Sequence, residues 1–220
     1  SKISELILLK SMHFDNLKIV SVRQPRPLGL GHAVLCAEPV LGPCEVAVVL
    51  PDVLIDEMQC NFETENLSKM LENFETTGRS QVMVNPVAPH VVDQFGIVEV
   101  SSSLLRSGES SRLKDIVEKP RIGAAPSDLA ITGRYVLAKE IWRRLKETKA
   151  GAAQEIQLTD AIFPLIKDSP GVDAYHLVGK TFDCGSRLGL ATAAFEYAKR
   201  HPDIGEDFQL HVKNSYGLGQ

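Results

Sequence analysis

The chain has 220 residues, 44% of them hydrophobic and 24% charged, as is typical of a globular protein large enough to bury a core. Its net charge of −4 gives no electrostatic reason to expect nucleic acid as a partner, and no apolar run reaches the roughly 18 residues of a membrane span. Its four cysteines show no CxxC spacing, which disfavours a zinc site or a disulfide framework. We therefore expect free thiols in a cytoplasmic protein. Residues 1–10 lack the pattern of a signal peptide and predict a short amphipathic helix.

Strand-like and helix-like runs alternate through the first half of the chain. The continuous apolar run at residues 46–50 (VAVVL) predicts a strand buried on both faces of a mostly parallel sheet. Apolar side chains at helical spacing predict an amphipathic helix over residues 66–77, ending at Gly78. This order predicts an α/β layer fold with right-handed crossovers. The other elements predicted here are strands at residues 18–23 and 81–87 and a helix at residues 31–38.

The second half is richer in strands before it turns helical. Thr159 and Ser186 are predicted N-caps of two of its helices. The predicted strands are residues 96–100, 113–117, 131–138 and 172–177, and the predicted helices are residues 139–147, 159–167 and 187–199. The sequence shows no internal repeat and no linker, so we expect one domain over residues 1–220.

Two aspartates stand where apolar strand-like runs end. Asp52 follows the run that stops at Pro51, and Asp183 lies between a strand-like run and a helix. In open α/β sheets ligands bind at the carboxyl ends of the strands, and carboxylates there can hold Mg²⁺. Taken alone, each residue is explained as well by a structural role, as a turn residue or as a negative charge near a helix N-terminus.

Two other segments carry side chains or backbone suited to binding. At the end of a predicted strand, Lys119 could neutralise phosphate charge and Glu118 could accept hydrogen bonds from sugar hydroxyls. Gly29 and Gly31 precede a predicted helix, where the backbone can approach a ligand closely. A surface ion pair and a plain glycine loop are the structural alternatives for these segments.

The order of these segments is more informative than any one of them. In this order they make the chain resemble the bacterial UTP–glucose-1-phosphate uridylyltransferase family, from about residue 20 to residue 208. The segments are residues 29–33 (GLGHA), 50–52 (LPD), 118–120 (EKP), 155–162 (EIQLTDAI) and 183–185 (DCG), supported by residues 22–24, 126–130 and 133–136.

The resemblance implies a Rossmann-like three-layer α/β/α nucleotidyltransferase fold with a mixed central sheet. It implies a Mg²⁺-dependent reaction in which UTP and glucose 1-phosphate give UDP-glucose and pyrophosphate. In such a reaction the protein acts mainly by positioning the reactants and offsetting charge. Asp52 and Asp183 match the pair that holds Mg²⁺. Lys119 matches the lysine that contacts the sugar phosphate and stabilises developing charge.

The resemblance also implies five substrate-binding positions. Glu118 matches the acid that binds glucose hydroxyls, and Gly96 and Gly133 match glycines that line the glucose pocket. Gln24 and Gly31 match positions that recognise the uracil, because an amide side chain and a backbone group can pair with its edge.

The chain departs from the family at its N-terminal end. Family members begin with a glycine-rich strand–loop–helix that wraps the triphosphate, and no such segment occurs here, so we expect an N-terminally incomplete fold. Residues 46–50 would then lack a neighbour and present an apolar sheet edge. We expect the 220 residues alone to be inactive or feeble. Truncation, a degenerate gene and supply by another chain all stay open. A local departure is Phe95, where the family more often has Tyr.

Two other functions stay open at this point. Glucose-1-phosphate thymidylyltransferases share the Glu-Lys-Pro motif and the paired carboxylates, although the GLGHA and DCG segments favour the uridylyl family. A non-catalytic partner subunit of an active enzyme is the second alternative. Because family members are commonly dimers or tetramers, we also expect a homo-oligomer, with residues 204–212 as a terminal helix at its interface.

Overall fold

The computed structural model describes residues 18–151 and 154–217. The helix predicted over residues 1–10 lies outside these residues. The described strands are β1 (Val46–Val49), β2 (Val53–Ile55), β3 (Ser80–Pro86), β4 (Gly96–Val100), β5 (Ser110–Glu118), β6 (Leu129–Leu137), β7 (Val172–His176) and β8 (Thr181–Asp183). The described helices are α1 (Leu30–Leu35), α2 (Glu38–Leu41), α3 (Leu67–Thr77), α4 (Glu140–Glu147), α5 (Leu158–Lys167), α6 (Arg187–Arg200) and α7 (Gly205–Tyr216), with 3₁₀ turns at Glu57–Gln59 and Pro89–Gln94.

Six strands form one mixed sheet in the order β1-β6-β3-β7-β5-β4, and β2 and β8 form a separate ribbon. Along β3, Val82 and Val84 belong to the core shared with α4 and α5, whereas Met83 belongs to the core under α3. Since successive side chains of a strand point to opposite faces, helices cover both faces of the sheet. The three-layer α/β/α fold with a mixed sheet is confirmed.

The sheet is less parallel than the element order predicts. Among the described strand pairs, β3 and β7 run parallel and the others run antiparallel. Strands β1 and β3 are both antiparallel to β6, so these two strands, joined through α3, run in the same direction. The prediction that β1 is buried on both faces was wrong, whereas the apolar sheet edge expected at residues 46–50 is found in the described part of the chain. Strand β1 is an edge strand paired with β6, its side chains alternate between half-buried and exposed, and Val49 is 49% exposed. A short apolar run does not report how many neighbours the strand has.

Two further local predictions failed and two held. Residues 18–23 form no strand, and Thr159 is no N-cap, because α5 starts one residue earlier, at Leu158. Helix α3 ends at Gly78 with φ 67° as predicted. The Ser186 hydroxyl oxygen caps α6 by accepting from the Gly189 amide at 3.0 Å. Within the described residues, no helix is both long and apolar enough to span a membrane.

A buried ion pair between Arg200 and Asp56 links α6 to the residue that follows β2. The Arg200 guanidinium donates to both carboxylate oxygens of Asp56 at 3.1 and 2.8 Å, and Asp56 is 1% exposed. Burial by itself would raise the pKa of Asp56. The hydrogen bonds from Arg200 and from the Met58 amide outweigh that effect, so the pKa lies below its ordinary value of 3.8.

The effect of Asp56→Asn on stability is therefore expected to depend on pH. A carboxyl whose folded-state pKa is depressed stabilises the fold fully above its unfolded-state pKa and loses that contribution as the pH falls through the folded-state value. The wild-type protein should have the higher urea midpoint near pH 7, and the difference should shrink as the pH drops below 3.8. Equilibrium urea unfolding across pH measures this, with the exposed Asp203→Asn as control. A difference that grows towards acid pH would contradict the argument.

Candidate functional site

A cavity of about 480 Å³ lies where strands of the large sheet meet the β2–β8 ribbon. The antiparallel register pairs Gly96 at the start of β4 with Glu118 at the end of β5, which brings two distant segments to one wall. Six of the eight predicted site residues line the cavity: Asp52, Gly96, Glu118, Lys119, Gly133 and Asp183. A cavity of about 460 Å³ between α6 and α7 is lined by none of the eight.

The two aspartates come together through the β2–β8 ribbon. The register pairs Val53 with Asp183, and the Cys184 amide donates to the carbonyl of Asp52 at 2.7 Å. A Cβ placed on Gly185 would lie 3.1 Å from both Asp52 Oδ2 and Asp183 Oδ1. These two carboxylate oxygens are therefore separated by no more than twice that distance.

Both carboxylates are exposed and available for a ligand. Among the described residues, neither Asp52 nor Asp183 forms a salt bridge, and Asp183 Oδ1 accepts a hydrogen bond from the Gly185 amide at 3.0 Å. In the part of the chain that the structure describes, no group of three or more His, Cys, Asp or Glu side chains could hold a metal ion. Two oxygen donors fit Mg²⁺, because that ion commonly takes one or two carboxylates and completes its shell with water and substrate phosphates.

The backbone at Lys119 has an unusual conformation. Its φ is 47°, in the left-handed region that non-glycine residues seldom occupy, and the residue before a proline normally adopts an extended conformation. The Lys119 amide donates to the carbonyl of Phe95 at 2.9 Å, and Pro120 beyond it is buried. Strained backbone of this kind is concentrated at ligand-binding and catalytic positions, and here it occurs at an exposed lysine that lines the cavity.

Glu118 is held in place by a hydrogen bond from α5 and lies near Tyr135. The Thr159 hydroxyl donates to Glu118 Oε2 at 2.9 Å, which fixes one carboxylate oxygen against α5. Tyr135 also lines the cavity, and its pKa is raised by burial and further by the negative charge of Glu118. Its hydroxyl therefore remains protonated at neutral pH and can act as a hydrogen-bond donor.

Gly96→Ala is expected to disturb this arrangement. A Cβ there would lie 3.0 Å from Thr159 Cγ2, 3.1 Å from Glu118 Oε2 and 3.3 Å from Ile131 Cδ1. Overpacking of a buried position costs about 2 kcal/mol, and if Glu118 binds the sugar, as the resemblance implies, relief by moving it is expected to weaken sugar-phosphate binding. Chemical unfolding and calorimetric titration with glucose 1-phosphate measure the two effects. Gly151→Ala, where an added Cβ meets its nearest atom at 3.7 Å, is the control. Equal affinity in the Gly96 variant would contradict a role for this wall.

The two positions matched to uracil recognition do not line the cavity. The Gly31 amide donates to the carbonyl of Ile156 at 2.8 Å, while its neighbour Leu30 forms part of the cavity wall. The Gln24 amide nitrogen donates to the carbonyl of Gly29 at 3.1 Å and lies 2.9 Å from His32 Nδ1. Gln24 therefore lies against the start of α1, next to the cavity rather than in it.

Several polar residues of the site were not singled out from the sequence. Asn85, the last residue but one of β3, lines the cavity. It lies near a strand end, as Asp52 does, but the predicted strand at residues 81–87 placed it inside the strand. Thr159 was interpreted as a helix cap and instead orients Glu118. Arg134, on β6, donates to the backbone on either side of Asp52. A contact between residues so distant in the sequence leaves no local signal.

Comparisons with known proteins point to one group. Residues 5–200 match the family model described as "Nucleotidyl transferase". The chain is 47% identical to the UTP–glucose-1-phosphate uridylyltransferase of Escherichia coli K12, over 92% of this chain and 66% of that protein. It is 46% identical to the enzyme of the same name from Haemophilus influenzae, over 94% of this chain and 70% of that one. The chain thus spans just under two thirds of the length of its Escherichia coli relative.

Solved structures give the same picture. A UTP-bound UGPase from Acinetobacter baumannii superposes with a TM-score of 0.84 and 43% identity, covering 97% of this chain and 72% of that one. A glucose-1-phosphate thymidylyltransferase from Bacillus anthracis, described as putative, superposes with a TM-score of 0.60 at 20% identity, covering 84% of this chain and 67% of that one. The second likeness extends to the fold alone.

Proposed function

This chain belongs to the nucleotidyl transferase family and, within it, to the UTP–glucose-1-phosphate uridylyltransferases, and from that premise we propose that its protein joins UTP and glucose 1-phosphate to give UDP-glucose and pyrophosphate. The observation that carries the proposal is the cavity in which Asp52 and Asp183 face the Glu118–Lys119 strand end. Relatives named for this reaction share 46–47% of its residues over more than nine tenths of the chain.

In the proposed reaction, a phosphate oxygen of glucose 1-phosphate attacks the α-phosphorus of UTP. The new P–O bond forms as the bond to the β-phosphate oxygen breaks, and that oxygen leaves with pyrophosphate. Lys119 offsets the negative charge that builds up where the two phosphates meet. Glu118, held by Thr159, accepts hydrogen bonds from glucose hydroxyls.

We propose that Asp52 and Asp183 hold Mg²⁺ in this protein. The ion would supply positive charge beside the triphosphate and orient its oxygens. Their separation and free oxygens suit an ion that shares its coordination shell with phosphate. Asp52 acts in this way as both a metal ligand and a catalytic residue.

The proposed uracil contact uses the free end of Gln24 and the backbone at Gly31. The Gln24 amide nitrogen is engaged with Gly29 and His32, which leaves the amide oxygen as the group that would accept the N3–H of a pyrimidine base. Thymine carries the same N3–H, so this contact alone does not separate UTP from dTTP. Competition between the two nucleotides in the assay below distinguishes a uridylyltransferase from a thymidylyltransferase.

The test is pyrophosphate release by the purified chain with UTP, glucose 1-phosphate and Mg²⁺, beside calorimetric titration with each substrate. The proposal expects glucose 1-phosphate to bind, because Glu118, Lys119, Gly96 and Gly133 all line the cavity. Turnover on the order of 1 per second or more would show that the 220 residues suffice for catalysis. Failure to bind either substrate would contradict the proposal. Sugar-phosphate binding without turnover is expected both of a chain that lacks the segment that wraps the triphosphate and of a non-catalytic partner.

We extend the proposal to organisation and assembly. Residues 1–220 would act as one nucleotidyltransferase domain of a cytoplasmic enzyme, since UTP and sugar phosphates are cytoplasmic metabolites. A dimer or tetramer would use the C-terminal helices, where Leu188 is 79% exposed and Leu210 is 57% exposed. Residues 204–212, predicted as a terminal helix, lie largely in α7, and Phe208 packs against Phe195 of α6. Light scattering checks the assembly.

A further inference from the structure

One side chain, that of Arg134, donates hydrogen bonds to both ends of the turn that carries Asp52. Arg134 Nη1 donates to the carbonyl of Leu50 at 2.6 Å, and Arg134 Nη2 donates to the carbonyl of Val53 at 2.6 Å. The two accepting carbonyls bracket Pro51 and Asp52. Because the guanidinium is planar and presents its donors as a rigid fork, these two charge-assisted bonds set the spacing of the carbonyls and the shape of the turn between them.

The backbone around Arg134 reinforces this attachment. Gly133, one residue earlier, has φ 74°, and a Cβ there would lie 3.0 Å from Leu50 Cβ. The carbonyl of Gly133 accepts the Leu50 amide at 2.9 Å. β6 is therefore hydrogen-bonded to the residue after β1 through its own backbone at Gly133 and through the Arg134 side chain. A glycine at position 133 permits this close approach.

Arg134 serves this turn rather than a carboxylate partner. Burial lowers the pKa of Arg134, and the charge of Asp52 opposes that effect. Arg134 is absent from the salt bridges among the described residues, so both carboxylate oxygens of Asp52 stay available for a cation. A half-buried charge without a close ionic partner is costly to place, which favours a specific role for it.

We propose that Arg134 is a positioning residue for Asp52, holding the Leu50–Val53 turn so that the Asp52 carboxylate faces Asp183 across the cation site. The inference rests on the proposed function only through the metal site of these two aspartates. A lysine at this position keeps the positive charge but donates from a single nitrogen, so it cannot hold both carbonyls in the same geometry.

The test compares Arg134→Lys with Arg112→Lys in the full chain. Arg112 also donates to a backbone carbonyl at 2.6 Å, that of Pro170, but this carbonyl belongs to a segment that carries neither Asp52 nor Asp183 and does not line the cavity. Titration with Mn²⁺, followed by electron paramagnetic resonance, reports occupancy of the cation site without turnover. Arg134→Lys is expected to bind Mn²⁺ about tenfold more weakly, as when the partners that orient a metal ligand are lost. Arg112→Lys should bind it like the wild type.

A second measurement keeps the proposal testable if Arg134→Lys lowers overall stability. Amide hydrogen exchange at Cys184, whose N–H is bonded to the Asp52 carbonyl, should accelerate at temperatures where the rest of the sheet stays protected. Equal Mn²⁺ affinity in wild type and Arg134→Lys would overturn the proposal. Absence of Mn²⁺ binding in the wild type would overturn it together with the metal site, whereas tight Mn²⁺ binding by a chain that binds neither UTP nor glucose 1-phosphate would count against the proposed function alone.

Discussion

Asp183→Asn is expected to abolish Mg²⁺-dependent binding of UTP and to lower the rate of uridylyl transfer by about three orders of magnitude. The substitution replaces one of two carboxylates that converge beside Gly185 with a neutral amide, which is a poor ligand for a hard divalent cation. The amide oxygen can still accept the Gly185 N–H that Asp183 accepts now, so the local fold should persist. The loss would therefore report on the cation site and not on folding.

Calorimetric titration with UTP, with and without Mg²⁺, measures this effect, and pyrophosphate release measures the rate. The matched control is Asp203→Asn, which removes an exposed carboxylate before α7, away from the cavity. It carries the same change in net charge and should leave both quantities unaltered. Nucleotide binding that stays equally Mg²⁺-dependent in Asp183→Asn would rule out Asp183 as a metal ligand.

Lys119→Ala is expected to reduce kcat by a factor of roughly 100 to 1,000, in line with the removal of one group that stabilises charge in a transition state. Lys119 is exposed and lines the cavity just after β5, so the loss of its side chain should affect the transition state more than the fold. Lys114→Ala, on the exposed side of the same strand in a surface pair with Glu99, is the control. Equal kcat in the Lys119 and Lys114 variants would refute the assignment.

The backbone at Lys119 makes a stability prediction separable from activity. With φ at 47°, an alanine keeps the left-handed strain, whereas a glycine relieves it at the expense of a more flexible unfolded chain. We therefore expect Lys119→Gly to be about 1 kcal/mol more stable than Lys119→Ala, with both equally impaired in catalysis. Urea unfolding decides this, and a glycine variant less stable than the alanine variant would show that the strain is absent in solution.

Several elements were readable from short stretches of sequence. Helix α3 and its stop at Gly78 follow from apolar spacing and from a residue that tolerates left-handed backbone, and the Ser186 cap follows from the donors left open at a helix start. Strand β4 has the predicted bounds, residues 96–100. In each case the residues that cause the feature lie within a few positions of it, so a short stretch of sequence is enough to predict it.

The wrong and missed predictions concern features that depend on residues distant in the sequence. Strand β1 was predicted to be buried on both faces because its residues are apolar. The burial of a strand depends, however, on the elements that pack beside it, and β1 lies at the edge of the described sheet. The short strands β2 and β8 were missed because each is three residues long and is stabilised mainly by pairing with the other. That ribbon is what brings Asp52 to Asp183, so the geometry of the proposed cation site could not be predicted from either segment alone.

For this chain, local letters and their order were enough to specify helices, most strands, the family and six residues of one cavity. The tertiary structure determined the surroundings of the site. It set the hydrogen bond from Thr159 to Glu118, the position of Gln24 beside the cavity, and the hydrogen bonds from Arg134 to the turn at Asp52. The reason is physical. Backbone propensity and capping are interactions between near neighbours, whereas pairing register and long-range hydrogen bonds exist only after distant segments have packed together.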